Sequence, residues 1–333
     1  MPSTPPISRD RIAALLALSP KHRIVVIGDA MLDVYLRGDV DRISPEAPVP
    51  VVRVRDKRHA LGGAANVAQN VVALGAQVEL VATVGKDQSA QQLRDMMMAI
   101  GGDTRGLVAV NRPTTTKTRV LARAQQLVRV DEEVDDDCTP AEIELLKVAI
   151  TKALDDADAL ILEDYNKGVL VPAVIAHALE IAAKKKIPVV VDPKYRNFFA
   201  YTGATVFKPN RRELEAALGA AIDVEHPETL PALVERLGVE SILLTLSEHG
   251  MALIEKGATG VHRIPTTARE VYDVVGAGDT VTAYLAAMLA SGATALEAAV
   301  IANYAAGVEV GKLGAATVSV GEVLEAFDLV GGG

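Results

Sequence analysis

The stretch Asp273-Val274-Val275-Gly276-Ala277-Gly278-Asp279-Thr280 sets two glycines and two carboxylates at the head of a long apolar segment, 277–291. Glycines at a helix start let backbone N–H groups approach an anion closely, and the helix dipole adds partial positive charge there. A first-turn acid that favours the dipole accounts for Asp279 alone. It does not account for the two glycines, which weaken a helix start unless their backbone freedom is used. The pattern therefore offers an anion hole beside a carboxylate. It is not the Walker loop, whose Gly-Lys-Ser/Thr ending is absent. A second glycine pair, Gly62-Gly63-Ala64-Ala65-Asn66, heads another helical pattern; on its own a turn explains it. Asn210-Arg211-Arg212-Glu213 has the spacing of a capping box, an N-cap amide answered by a Glu three residues on. His249 has no partner at metal-ligand spacing, and nothing else suggests a zinc site.

These residues need a scaffold, and the hydrophobic pattern supplies one. Short continuous apolar runs at 24–27, 78–84, 159–162, 188–191, 205–207 and 242–246 read as strands covered on both faces. Helical patterns lie between and after them, at 64–74, 89–100, 140–154, 172–184, 211–218, 229–237, 277–291 and 295–311. The alternation predicts a mostly parallel sheet sandwiched by helices. A first amphipathic helix is expected over 12–18, after a frayed terminus at 1–7. Two β-rich stretches, 49–55 and 114–131, break the alternation and suit a small appended sheet acting as a lid. Residues two apart on a strand share a face, so Lys117, Arg119, Leu121 and Arg123 are expected on one side. The acidic turn 131–137 reads as a solvated face, and Lys184-Lys185-Lys186 as a solvated helix end.

Composition narrows the class. There are 43 Asp+Glu against 34 Lys+Arg, a net charge of −9, which argues against nucleic-acid or anionic-membrane binding. Half the residues are hydrophobic, only 3% are aromatic and there is no Trp, so the core must be aliphatic. No apolar run spans a bilayer. The single cysteine, Cys138, excludes an intramolecular disulfide and a multi-Cys metal site, and an intracellular, cytoplasmic location is expected. Its neighbours Asp135, Asp136 and Asp137 are expected to raise its pKa and leave it a spectator.

The segment 273–279 resembles the D-x-x-G-A-G-D signature of the ribokinase-like, or phosphofructokinase B, family of sugar kinases. Gly62-Gly63-Ala64-Ala65-Asn66 is similar to that family's first signature, and the likeness runs from Arg23 to about Leu324. Within the family, segments 42–50, 117–121, 125–127, 163–168 and 191–194 are similar to the D-glycero-D-manno-heptose 7-phosphate kinases. The resemblance implies an α/β fold, a ribokinase-like three-layer α/β/α sandwich with a mostly parallel central sheet and a small β lid. It implies a single kinase domain over 1–333, with lid segments at about 38–56 and 113–131 and no nucleotidyltransferase domain. The implied reaction is ATP-dependent phosphorylation of the anomeric hydroxyl of heptose 7-phosphate, giving a 1,7-bisphosphate for ADP-heptose and lipopolysaccharide synthesis.

Site roles follow from the same resemblance. Asp279 would be the general base, with the amides of Gly276, Ala277 and Gly278 holding the transferred phosphoryl. Val275 stands where many relatives place Thr. Asn210 and Glu213 would serve ATP and Mg²⁺, Glu213 through water. Thr245, Ser247, Gly250 and Asn303 would line the ATP site; Ser247 stands where the family often has Gly. Asp33, Gly62, Gly63 and Asn66 would bind sugar hydroxyls, with Asp164, Lys167 and Lys194 at strand ends beside them. For the 7-phosphate, the lid cations Lys117, Arg119 and Arg123 stand against Lys194, and against a purely protective role for basic side chains on an exposed strand. A homodimer clasped through the lids is implied. Two other readings remain open: a kinase of this fold for another sugar or a nucleoside, and a catalytically silent nucleotide-binding protein. The latter should have lost Asp279 or the glycines. A dinucleotide-binding dehydrogenase is excluded, because no G-x-G-x-x-G follows the first strand.

Overall fold

The computed structural model describes residues 7–123, 125–223, 230–258 and 260–331. The expected frayed terminus lies outside them save for its last residue, and so does Thr229, the expected first residue of the helix at 229–237. The strands are β1 (Arg23–Gly28), β2 (Ala30–Ile43), β3 (Pro50–Gly63), β4 (Gln77–Val84), β5 (Leu107–Ala109), β6 (Thr116–Ala122), β7 (Gln125–Glu132), β8 (Ala159–Glu163), β9 (Val189–Asp192), β10 (Val206–Phe207), β11 (Ser241–Thr245), β12 (Met251–Glu255) and β13 (His262–Ile264). The α-helices are α1 (Arg9–Leu16), α2 (Ala64–Ala73), α3 (Gln88–Ala99), α4 (Pro140–Ala153), α5 (Pro172–Lys185), α6 (Arg211–Leu218), α7 (Leu230–Leu237), α8 (Ala277–Ala290), α9 (Ala295–Glu309) and α10 (Val320–Gly331).

The central sheet has nine strands in the order β13-β12-β11-β10-β9-β8-β1-β4-β5. From β5 to β11 every pairing is parallel; β12 and β13 continue it antiparallel. Both faces are buried, which is why the strands read as unbroken apolar runs. In β1, Ile24 and Val26 join one apolar cluster, Val25 and Ile27 the other. The first cluster takes Leu15 of α1, Val71 of α2, Leu93 of α3, Leu285 of α8, Ile301 of α9 and Val323 of α10. The second takes Ile150 of α4, Ile175 of α5, Leu214 of α6 and Val234 of α7. The result is the expected α/β/α sandwich. Among the described residues no helix is long and apolar enough to cross a membrane.

A second sheet, ordered β3-β2-β6-β7, projects from this body. It begins earlier than expected and ends later. β2 leaves the core at Ala30, β3 returns to it at Gly63, and only the outer parts of both strands are exposed. The buried inner ends, next to Gly28 and the glycine pair, look like core in the sequence. β2 shifts register between Arg37 and Gly38, where a Cβ at Gly38 would lie 2.1 Å from the Arg53 carbonyl oxygen. β6 stops at Ala122, and Arg123 adopts a left-handed turn with φ of 55°. The register shift opposite Val120 and Leu121 places its extra residue, Leu127, in β7, while β6 pairs with β2 without a break as far as Ala122. Arg123 therefore does not share a face with Lys117 and Arg119.

The short strands β5, β12 and β13 and the terminal helix α10 were not anticipated. Cys138 is buried, as a spectator should be, but the cause differs from the one expected. Burial pushes the thiol up to about 11, and the Arg112 guanidinium, 2.6 Å from Sγ, opposes the shift.

Candidate active site

Parallel strands in an open sheet deliver their carboxyl ends to one edge, where ligands bind. Here Asp29, Glu163, Asp192, Lys208 and Thr245 come from the ends of β1, β8, β9, β10 and β11. The N-terminus of α8 points at the same edge. Gly276 is its N-cap with φ of 99°, a conformation side chains resist, and a Cβ there would lie 3.1 Å from Ala315 Cβ. A Cβ on Gly278 would lie 3.6 Å from Lys208 Nζ. Ala277 and Gly278, with Gly276 before them, thus present bare backbone at a helix start.

Asp279 follows in the first turn and is buried. Its two oxygens have separate donors: Asn66 Nδ2 at 2.6 Å and the Tyr165 hydroxyl at 3.0 Å. Burial pushes its carboxyl up to about 6, and those two hydrogen bonds and the Lys208 charge hold the rise in check. A carboxyl so tuned is ionised at neutral pH yet basic enough to take a proton. Asn66 is itself placed by the glycine pair. Gly63 caps α2 with φ of 55°, and a Cβ there would lie 2.4 Å from the Asp29 carbonyl oxygen. The buried Asp29 carboxylate accepts from the amides of Tyr165, Lys167 and Val169 and so shapes the loop that carries Tyr165.

Glu163, Asp192 and Asp279 bring carboxylate oxygens within 4.8 Å of one another. Lys208 Nζ donates to Asp192 Oδ2 at 2.8 Å, so an ammonium already serves this cluster. Glu163 is fully buried, neither oxygen has a hydrogen-bond partner among the described residues, and burial with the two neighbouring aspartates pushes its carboxyl well up.

Beside α8 opens a cleft of about 430 Å³, lined by Thr245, Ser247, Gly250, Ala277, Gly278 and Asn303 among others. Four residues expected to line the ATP site therefore face one cleft together with the glycine turn. Gly250 has φ of 81°, and its Cβ would lie 2.1 Å from the Ile264 carbonyl oxygen. Asn303 Nδ2 donates to the Pro265 carbonyl at 2.8 Å. Asn210 and Glu213 form the capping box at the start of α6, with both reciprocal bonds at 2.9 Å, and the second Glu213 oxygen pairs with Lys194. Lys194 also lies 5.3 Å from the centre of the Tyr165 ring.

On the lid side, Asp33 is buried and accepts from Arg119 Nη1 at 2.6 Å. A Cβ on Gly62 would lie 2.9 Å from Asp33 Oδ2, so the glycine makes room for that carboxylate. Lys117 and Lys167 converge on Glu133, at 2.9 and 2.7 Å, and Lys117 also meets Asp131. The acidic turn is thus partly a partner for these lysines rather than wholly solvated. Asp164 stands just past the end of β8, and its oxygens accept from the Tyr201 hydroxyl and the Asn166 amide; the carboxylate that joins Asp279 is that of its neighbour Glu163. Arg123, exposed in its turn, stays outside the group. Sequence reasoning missed Asp29, Glu163, Tyr165, Asp192 and Lys208 as site residues, although each stands at or just beyond the end of a recognised strand.

The sequence matches the family described as pfkB family carbohydrate kinase over residues 21–320. It is 46% identical over 314 residues to the "Bifunctional protein HldE" of Granulibacter bethesdensis, covering 92% of this chain and 65% of that protein. It is 42% identical over 322 residues to the protein of the same name from Rhodospirillum rubrum, covering 95% and 64%. The chain spans less than two thirds of the length of these curated relatives. Its fold is similar to that of Arabidopsis thaliana ribokinase complexed with ribose and ATP, with a TM-score of 0.71 and 20% identity, covering 92% of this chain and 98% of that one. Phosphofructokinase-2 from Escherichia coli, in complex with potassium, aligns with a TM-score of 0.74 and 16% identity, covering 93% and 99%.

Proposed function

Since this chain belongs to the pfkB family of carbohydrate kinases, a phosphotransferase with an alcohol group as acceptor, we propose that its acceptor is the anomeric hydroxyl of D-glycero-D-manno-heptose 7-phosphate and its donor ATP. The observation that carries the reading is the pairing of Asp279, buried and held by Asn66 and Tyr165, with the bare glycine turn that begins α8. The segments at 42–50, 117–121 and 163–168 favour heptose phosphate over other sugars, and relatives named HldE are in keeping with it.

Asp279 takes the proton from the sugar hydroxyl as that oxygen attacks the γ-phosphorus. The new O–P bond forms while the bond to the β-phosphate bridging oxygen breaks, and ADP leaves. The amides of Gly276, Ala277 and Gly278 hold the equatorial oxygens through the transition state, where positioning and charge stabilisation do most of the work. Asn66 Oδ1 and both Glu163 oxygens lack partners among the described residues. Buried polar atoms without partners are costly, and sugar hydroxyls would satisfy these. Asp33 and Gly62 complete the acceptor side. Mg²⁺, when bound, neutralises the polyphosphate. Both Glu213 oxygens already carry a protein donor, which suits a carboxylate acting through metal-bound water. Lys117, Lys167 and Lys194 are the cations for the 7-phosphate. We also assign to this chain a homodimer clasped through the lid sheets, a place in ADP-heptose and lipopolysaccharide synthesis, and a cytoplasmic location.

The test is ADP release with Mg²⁺, ATP and a panel of heptose 7-phosphate, heptose, ribose, fructose 6-phosphate and adenosine. Turnover confined to heptose 7-phosphate, and lost in Asp279→Asn and with EDTA, is the expected result. Turnover on another member would keep the reaction class and overturn the acceptor. Retained activity in Asp279→Asn would remove the base.

A further inference from the structure

The carboxylate cluster around Asp279 poses a charge problem. Glu163, Asp192 and Asp279 lie within 4.8 Å of one another in a buried site, and like charges so placed cannot all ionise freely. Among the described residues only Lys208 donates a hydrogen bond into the cluster from a cationic side chain. It is 3% exposed, and its backbone amide is fixed to the Val191 carbonyl at 2.8 Å, one residue before Asp192. Burial pulls its pKa down, but the neighbouring Asp192 and Glu163 outweigh that and leave it raised. The absence of a side chain at Gly278 leaves the ammonium adjacent to the turn that begins α8.

We propose that Lys208 is a positioning residue for phosphoryl transfer: its buried ammonium balances Asp192, so that Asp279 stays ionised and available as base. This rests on the assignment of Asp279 as base. The charge inventory supports it. Asp279 faces Asn66 and Tyr165, Glu163 at the end of β8, Asp192 at the end of β9, Lys208 after β10, and the more distant Glu309 of α9. Lys194 is hydrogen-bonded to Glu213 and lies beside the Tyr165 ring; its charge also acts on Asp192 and Glu163, but it donates to neither. Burial pushes Glu163 towards its neutral form, which leaves the Asp192 and Asp279 carboxylates with one hydrogen-bonded ammonium. Without Lys208 the Asp279 carboxylate faces Asp192 with no hydrogen-bonded cation in the cluster, and its ionisation is disfavoured.

The experiment follows the Asp279 carboxyl itself. Protein labelled with ¹³C at the aspartate carboxyl carbons is titrated from pH 4 to 9 by NMR, with Asp279→Asn identifying the resonance. In the wild type Asp279 should titrate at about 6. In Lys208→Met the midpoint should rise by about one unit or more; in Lys208→Arg it should stay near the wild-type value. The Lys208→Met/Asp192→Asn double variant removes both charges and should bring it back. This variant removes one positive and one negative charge together and leaves the net charge of the cluster unchanged, so it guards against a single variant that fails to fold. A midpoint unmoved in Lys208→Met, or one that stays raised in the double variant, would overturn the proposal. The acid limb of kcat/KM for heptose 7-phosphate should move with the NMR midpoint, so that a rise of about one unit costs Lys208→Met about fivefold at pH 6, recovered at pH 9. If no sugar in the panel turns over, the acceptor assignment falls while the NMR titration still decides the role of Lys208.

Discussion

Replacing Asp279 by asparagine should abolish turnover and at the same time stabilise the fold. Burial raises this carboxyl from 3.8 to about 6, so the folded state binds the proton more tightly than the unfolded chain. A carboxyl raised in this way opposes folding only where it ionises. The penalty begins near pH 4, grows until the pH passes 6, and is constant above that. About two units at about 1.4 kcal/mol each make about 3 kcal/mol at pH 8, against about 0.5 kcal/mol at pH 4. Asparagine removes the charge but offers one acceptor oxygen to two donors, Asn66 Nδ2 and the Tyr165 hydroxyl. Losing one such bond costs about 1 kcal/mol. Asp279→Asn should therefore be more stable than the wild type by about 2 kcal/mol at pH 8 and slightly less stable near pH 4. Urea unfolding at pH 4, 6 and 8 reads the difference directly. A variant no more stable at pH 8, or a gain that does not shrink towards pH 4, would refute the reasoning.

Gly276→Ala places a methyl group 3.1 Å from Ala315 Cβ and 3.2 Å from Glu309 Oε1, on a backbone with φ of 99°. The strain of about 1–3 kcal/mol should lower the unfolding midpoint and cut kcat at least about tenfold by misplacing the first amides of α8; unaltered kinetics would take that turn out of the phosphate site. For the lid, sedimentation should give a species of twice 35.0 kDa. Val128 and Val130 are 50% and 54% exposed on the edge strand β7, so Val128→Asp with Val130→Asp should shift it to the monomer, and a wild type already monomeric would contradict the clasp.

The layered body was legible because its signals are local. Continuous apolar runs of strand length separated by helical patterns describe β1, β4, β8, β9 and β11 closely, since those strands are buried on both faces. The lid was legible only in part. Its exposed outer ends alternate as a strand should, but the inner ends, Ala30–Val34 and Leu61–Gly63, are buried and look like core. The antiparallel edge strands β12 and β13 are five and three residues long, too short for periodicity to separate from loop. Arg123 shows the limit of pure alternation: β6 keeps its register as far as Ala122, and one left-handed turn then undoes a face assignment that fits the sequence perfectly well.

The cluster around Asp279 shows what a period of two can decide once the topology is known. In β8, Leu160 and Leu162 pack with α4 and α5, while Ala159 and Ile161 pack on the side of α2 and α8. Glu163, two beyond Ile161, must therefore face α8, and Asp164 must face the other way, towards Tyr201. The same parity holds in β9, where Val190 lies on the α8 side and Asp192 follows it, and in β10, where Val206 lies there and Lys208 follows. Three adjacent strands thus end with a polar side chain on the face covered by the N-terminal turn of α8, and each lies two residues past an apolar one. The residue types are visible in the sequence, as is the alternation. Which face α8 would cover is not, because α8 comes more than eighty residues after β9 and its docking depends on the whole order of the sheet. That is why Asp164 and Glu163 could not be told apart from the sequence: they are neighbours in the chain and opposites in the fold.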